Sequence, residues 1–120
     1  MGDKQNNRQV GAVHEQKAAE FLTARGYNIL ERNFTCRQGE IDIIAKDGEY
    51  ICFVEVKYRA GKTAGEAAEA VDQRKQRKIL RVARFYLMRH GMSEWTPCRF
   101  DVVAMDGTGI VLYKHAFEAE

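Results

Sequence analysis

The stretch "EIDIIAKDGEYICFVEVKYR", residues 40–59, decides the fold. Two β-rich runs flank the turn dipeptide Asp47-Gly48, so residues 40–46 and 50–58 are predicted to form a hairpin. In the second run Ile51, Phe53, Glu55 and Lys57 share one face, while Cys52, Val54 and Val56 share the other. A strand apolar on both faces belongs in the middle of a sheet covered on both sides. Its charges are therefore the anomaly. Glu55 falls at the rim of a buried face, where an unpaired carboxylate costs several kcal/mol. In the first run Glu40 and Asp42 share one face, with Ile41 and Ile43 on the other. Hairpin pairing brings Asp42 to within one strand spacing, about 5 Å, of Glu55 and Lys57. Two carboxylates that close repel each other unless a cation lies between them. Lys57 is one such cation, and a divalent metal is the other.

Upstream, residues 10–25 suit a helix with Val13, Ala18, Phe21 and Leu22 near one face and Gly26 as its stop. Glu15 lies three, four and seven residues before Ala18, Ala19 and Leu22, so it belongs to the core-facing stripe; Glu20 falls toward solvent. Residues 27–34 read as a first strand. Downstream, "RAGKTAGEAAEA" (59–70) opens as a loop and turns helical near its Ala-rich end. A long helix from 72 to about 90 ends at Gly91, and "RFDVVAMD" (99–106) and "GIVLYKH" (109–115) read as two last strands. The order αβββαββ indicates an α/β protein, a sheet flanked by helices. Residues 1–9 are expected to be a flexible N-terminus and residues 10–120 a single domain, in keeping with a length of 120.

The long helix carries Arg74, Lys75, Arg77, Lys78, Arg81, Arg84 and Arg89 against Asp72 alone. Arg74, Arg77, Lys78, Arg81 and Arg84 recur at helical spacing opposite Ile79, Ala83, Tyr86 and Leu87, a stripe that can pair with phosphates. Lys75, one turn before Ile79, lies nearer the inward face. Over the whole chain the formal charge is only +2, too small by itself to imply nucleic acid. No apolar run approaches the roughly 20 residues needed to cross a bilayer, and the polar start MGDKQNNRQ lacks a secretory h-region. Cys36, Cys52 and Cys98 are odd in number and widely spaced, which disfavours a disulfide framework or zinc site and fits a reducing cytoplasm. His14, His90 and His115 share no metal-binding spacing, and Arg99 with Asp101 reads as a structural pair.

Asp42, twelve residues, Glu55-x-Lys57 and an upstream helical Glu15 together resemble the active-site pattern of the restriction-endonuclease-like (PD-(D/E)xK) superfamily, whose core is αβββαβ with a central mixed sheet. More closely, the chain resembles the YraN family of small bacterial proteins, to which an endonuclease role is ascribed, and is similar to Holliday junction resolvases. The residues carrying the resemblance are "GAVHEQKAAEFLTARGYNILERN" (11–33), "GEIDIIA" (39–45), "FVEVKYR" (53–59), "EAVDQRKQRK" (69–78) and "RFDVVAM" (99–105). Ile41, not Pro, precedes Asp42, a departure from the superfamily pattern. The resemblance implies metal-assisted hydrolysis of phosphodiesters in DNA, branched or structured DNA included. Mg²⁺, or Mn²⁺, suits a few hard oxygen ligands with water retained. Asp42, Glu55 and a backbone carbonyl near Val56 are the expected ligands, with Glu15 direct or through water and Glu40 in support. Lys57 is expected to orient or deprotonate the attacking water or to stabilise the phosphate. Arg59, Gln73 and the basic helix are expected on the substrate side. Dimerisation is an expectation from the resemblance and from the need to cut two strands. The alternative reading is a non-catalytic nucleic-acid- or partner-binding module on the same fold.

Overall fold

The computed structural model describes residues 3–59 and 71–118, so the helical turn expected within 59–70 lies outside the described residues. In chain order the elements are α1 (Asp3–Ala24), β1 (Asn28–Cys36), β2 (Gly39–Asp47), β3 (Tyr50–Tyr58), α2 (Gln73–Arg89), β4 (Cys98–Met105) and β5 (Ile110–Phe117). This mixed α/β arrangement agrees with the order expected from sequence and is compatible with an αβββαβ core. α1 begins at Asp3, earlier than the Val10 start expected from the apolar pattern. Both helices stop where a left-handed glycine follows: Gly26 has φ +92° and Gly91 φ +65°. Asp72 caps α2, its carboxylate accepting the Lys75 N–H at 2.9 Å.

The strands form one sheet in the order β1-β2-β3-β4-β5, with β3 and β4 parallel and the other pairs antiparallel. The parallel pair needs a crossover, and α2 lies on that path. Alternation then divides the core into two layers. Ile51 and Phe53 pack with Ile79, Val82, Ala83 and Tyr86 of α2; Cys52 and Val54 pack with Ala18, Ala19 and Leu22 of α1. The helices thus cover opposite faces, and β3 is the central strand, buried without a break from Ile51 to Glu55. Val13 is a correction: it is 52% exposed rather than core-facing. Nine residues before Leu22, at 100° per residue, it points half a turn away from the stripe.

Asp42 sits where the sheet breaks its own alternation. A regular strand puts residues two apart on one face. Ile41 instead packs in the α2 layer and Ile43 in the α1 layer, so they do not share a face as the simple pattern implied. β1 switches at the same level. Arg32 donates to Gln16 of α1 at 2.7 Å, while Phe34 stands edge-on to Tyr86 of α2 with ring centroids 5.3 Å apart. Between them Asn33 takes φ +54°, which turns the chain over. The β2–β3 ladder stops at the pair Ile43↔Val54, and Asp42 is the next residue of β2 beyond it. The result is a fork between β2 and β3.

At the other end of the hairpin a polar clamp is built into the α1 layer. Asp101 is fully buried; it accepts from Arg99 Nε at 2.9 Å, the Tyr27 hydroxyl at 3.0 Å and the His115 N–H at 2.9 Å. Arg99 also donates to the Tyr27 hydroxyl (2.6 Å) and to Asp47 (2.8 Å). The structural reading of Arg99 and Asp101 is therefore correct, and Tyr27 belongs to the same network. Burial and the neighbouring Asp101 push the Tyr27 phenol up, and the Asp101 hydrogen bond holds Arg99 firmly charged. Removing one partner strands the buried charge of the other. Arg99→Met is expected to lower the unfolding free energy by about 3–5 kcal/mol in a urea titration; a loss under about 1 kcal/mol, typical of an exposed pair, would contradict the clamp.

Candidate functional site at the β2–β3 fork

The fork explains how four charged side chains meet at the sheet. Asp42 sends its carboxylate sideways rather than to either face, and its Oδ2 accepts the Val56 N–H at 2.8 Å. It takes the place of the ladder partner that β2 no longer supplies. The N–H and C=O of a strand residue point the same way across the strand, so the Val56 carbonyl also faces the fork. Glu55, one residue earlier, projects into the α2 layer and is 5% exposed. Its Oε1 lies 3.8 Å from Lys57 Nζ and 3.1 Å from Lys75 Nζ. Glu15, half-buried on α1, approaches from the other face: it is hydrogen-bonded to the Asn33 side chain and feels the charges of Asp42, Arg32 and Glu40. Glu40 is exposed. The structure therefore brings Glu15, Asp42, Glu55 and Lys57 to one place, and adds Lys75.

The charges there are in conflict. Burial first, and Asp42 second, push the Glu55 carboxyl up to about 7, against the pull of Lys75 and Lys57. Burial and Asp42 likewise raise Glu15, with the Asn33 hydrogen bond opposing. Burial holds Lys57 below the usual lysine range despite Glu55. Burial would also lower Lys75, but Glu55 outweighs it and the net shift is upward. Lys75 is thus the closer and more tightly held counter-ion, although the ExK spacing points first to Lys57. Its position one turn before Ile79 was the available signal.

The basic helix behaves as its spacing implies. Ile79, Val82, Ala83 and Tyr86 are buried, with Leu87 partly covered. Gln73, Arg74, Arg77, Lys78, Arg81 and Arg84 are exposed, and Arg59 is exposed beyond β3. Among the described residues the five cations of the stripe take no ion-pair partner, which leaves them for solvent or ligand. Arg74, Lys75 and Lys78 share with Asp72 a shallow cavity of about 200 Å³ at the start of α2.

The donors at the fork suit a hard cation. Two carboxylates and a carbonyl are oxygen ligands of the kind Mg²⁺ and Mn²⁺ take, and the Asp42 repulsion that adds to burial in raising Glu55 is relieved by positive charge placed between the acids. They are not drawn into a closed cage: among the described residues no group of three or more His, Cys, Asp or Glu is set closely enough to hold a metal. Asp42 is turned onto Val56, and Glu55 onto the two ammonium groups. Lysines thus supply the positive charge that a bound ion would bring. Cys36, Cys52 and Cys98 are free thiols and lie outside the cluster; burial pushes Cys52 up to about 12. No helix among the described residues is long and apolar enough to cross a membrane.

Fold and fork together define a small mixed α/β protein with an acid–lysine cluster at the end of its central strand. The chain belongs to Uncharacterised protein family UPF0102, the YraN family, matching it over residues 14–105. It is 47% identical over 114 residues to a UPF0102 protein of Lachnoclostridium phytofermentans, covering 95% of this chain and 97% of that one. A UPF0102 protein of Symbiobacterium thermophilum is 55% identical over 100 residues, covering 83% of this chain and 84% of its own. One from Alcanivorax borkumensis is 43% identical over 120 residues, covering 96% of each. The matched span contains every residue of the cluster.

The Glu55 shift has a consequence for stability. In the unfolded chain the carboxyl titrates near its ordinary value of 4.5, whereas in the fold it keeps its proton to about 7. The folded state then binds the extra proton, so this group's contribution is complete below about 4.5 and is lost as pH rises through about 7. At 1.36 kcal/mol per pH unit the loss is a few kcal/mol. Glu55→Gln cannot titrate. Its stability relative to wild type, by urea unfolding without metal, is expected to rise between pH 5 and pH 8; parallel curves would contradict the shift.

Proposed function

We propose that the protein is a metal-dependent endonuclease that hydrolyses phosphodiester bonds in DNA, structured or branched DNA included. The observation that carries this reading is the fork: Asp42 on the Val56 N–H, with Glu55 beside it between two lysines. A retired site has no physical reason to hold these acids at the cost that the raised Glu55 carboxyl records. The exposed basic face of α2 adds a sequence-indifferent hold on phosphates. Three free thiols suit a reducing cytoplasm, where such a substrate is found.

The residues divide the work by position. Asp42, Glu55 and the Val56 carbonyl would hold the ion, with Glu15 contributing from the α1 side directly or through water. When bound, Mg²⁺ or Mn²⁺ supplies an activated water and neutralises charge growing on the phosphate. Lys57, lowered by burial, sits on the rim of this pocket and orients the attacking water or accepts its proton. Lys75 neutralises Glu55 at 3.1 Å, and its ammonium would be the nearest cation of α2 to a scissile phosphate held at the fork. Glu40 adds negative charge near Glu15. Arg59, Gln73, Arg74, Arg77, Lys78, Arg81 and Arg84 track the backbone on either side.

The test is cleavage of linear duplex, single-stranded, flapped and four-way DNA with Mg²⁺ or Mn²⁺. Wild type is expected to cut at least one of them, and Lys57→Ala to cut about 10²–10⁴-fold more slowly. Glu55→Ala is expected to abolish cutting. Cleavage that survives both substitutions would place the activity elsewhere, and salt-dependent binding with no cleavage of any substrate would favour the non-catalytic module. Arg77→Ala is expected to weaken binding uniformly across sequences and to reduce the salt slope by about 1.

A further inference from the structure

A second concavity lies on the α1 side of the sheet, around the end of β3 from the acids. It holds about 420 Å³ and is lined by His14 and Lys17 of α1, Tyr58, Met105 and the β4–β5 turn. That volume falls in the range of pockets for small organic groups, about 300–1,000 Å³. Its wall is a stack: the rings of His14 and Tyr58 lie 3.9 Å apart between centroids and 15° from parallel. His14 is the sequence neighbour of Glu15, and Tyr58 of Lys57. Successive strand residues point to opposite faces, so Tyr58 lies on the α1 side and Lys57 on the α2 side, their backbones about one strand rise of 3.3 Å apart along β3.

Several features make this wall a platform rather than filler. Tyr58 is 37% exposed, more open than a tyrosine whose duty is packing, as Tyr27 and Tyr86 at 3% show. Lys17 is exposed at the cavity edge, within reach of a phosphate attached to whatever stacks there. The opposite wall is open. The Asp106 carboxylate takes the Thr108 and Gly109 N–H groups, closing the turn on itself, and a Cβ on Gly107 or Gly109 would meet nothing within 4 Å.

We infer that this cavity receives one unpaired nucleobase of a single-stranded nucleic acid, stacked on the His14–Tyr58 pair with its phosphate against Lys17. A duplex keeps its bases within its own stack and offers phosphates alone, for which an aromatic wall has no use; an unpaired base gains from any π face. The inference rests on the nuclease reading and narrows it to strands with an unpaired nucleotide beside the bond to be cut.

The test needs no cleavage. Binding of a single-stranded oligothymidylate and of an abasic oligomer of equal length and charge is compared in EDTA by fluorescence anisotropy. Wild type is expected to bind the thymidylate about tenfold more tightly, in line with the stacking of one base. Tyr58→Leu is expected to lose that preference while keeping its affinity for the abasic chain, and Tyr58→Phe, which keeps the ring, to retain it. Arg77→Ala is expected to weaken both ligands alike. Equal affinity of wild type for the two oligomers, or a preference that survives in folded Tyr58→Leu, would overturn the subsite and leave the nuclease reading standing. Binding of neither oligomer would overturn the nucleic-acid reading together with it.

Discussion

Burial first, and the neighbouring Asp42 second, raise the Glu55 carboxyl to about 7, and that conflict shapes the fork around it. The fold contains the conflict without removing it. Asp42 is given a backbone N–H, Glu55 is given two ammonium groups, and Glu15 is given an amide. Each partner lowers the energy of its carboxylate, yet burial and mutual charge still win for Glu55 and Glu15. Such a site favours positive charge, and a divalent ion carries more of it per volume than a lysine does.

The sheet creates this conflict at one place by failing locally. Were β2 regular, Asp42 would project to a face and the Val56 N–H would pair with the β2 backbone. Asn33, at φ +54°, turns β1 over, β2 follows, and the ladder ends at Ile43↔Val54. The parallel β3–β4 pairing holds β3 straight past that point, from Ile51 to Tyr58. One wall of the fork is therefore stiff and the other is shaped by a single residue. At the far end of the hairpin, Arg99 ties Asp47 to Asp101 and Tyr27, fixing β2 and β4 to the start of β1.

Much of this was legible in the chain because strand and helix periods are simple. The 50–58 run, Asp47-Gly48, Gly26 and Gly91 placed their elements closely, and alternation put Glu55 and Lys57 on the face where they lie. Glu15 was legible from its spacing to Ala18 and Leu22. What was not legible depends on departures from period. Asn tolerates positive φ better than most residues, but residue type alone does not say that Asn33 turns the strand over, and simple alternation puts Ile41 and Ile43 on one face when they occupy two. Hydrophobicity alone draws Val13 inward, against its angle on the helix. The dominance of Lys75 over Lys57 at Glu55 depends on how α2 seats on the sheet, a tertiary fact. The His14–Tyr58 stack joins residues 44 apart and was hidden for the same reason.

On the proposed reading, the fork gathers a divalent cation between Asp42 and Glu55. Calorimetric titration of Mn²⁺ into the protein at pH 8, where Glu55 is ionised, measures it directly. The expected result is saturable binding at the fork that is abolished by Asp42→Asn and kept, or strengthened, by Lys75→Met, which removes the competing ammonium. Mn²⁺ binding that is absent from wild type, or unchanged in Asp42→Asn, would contradict the account.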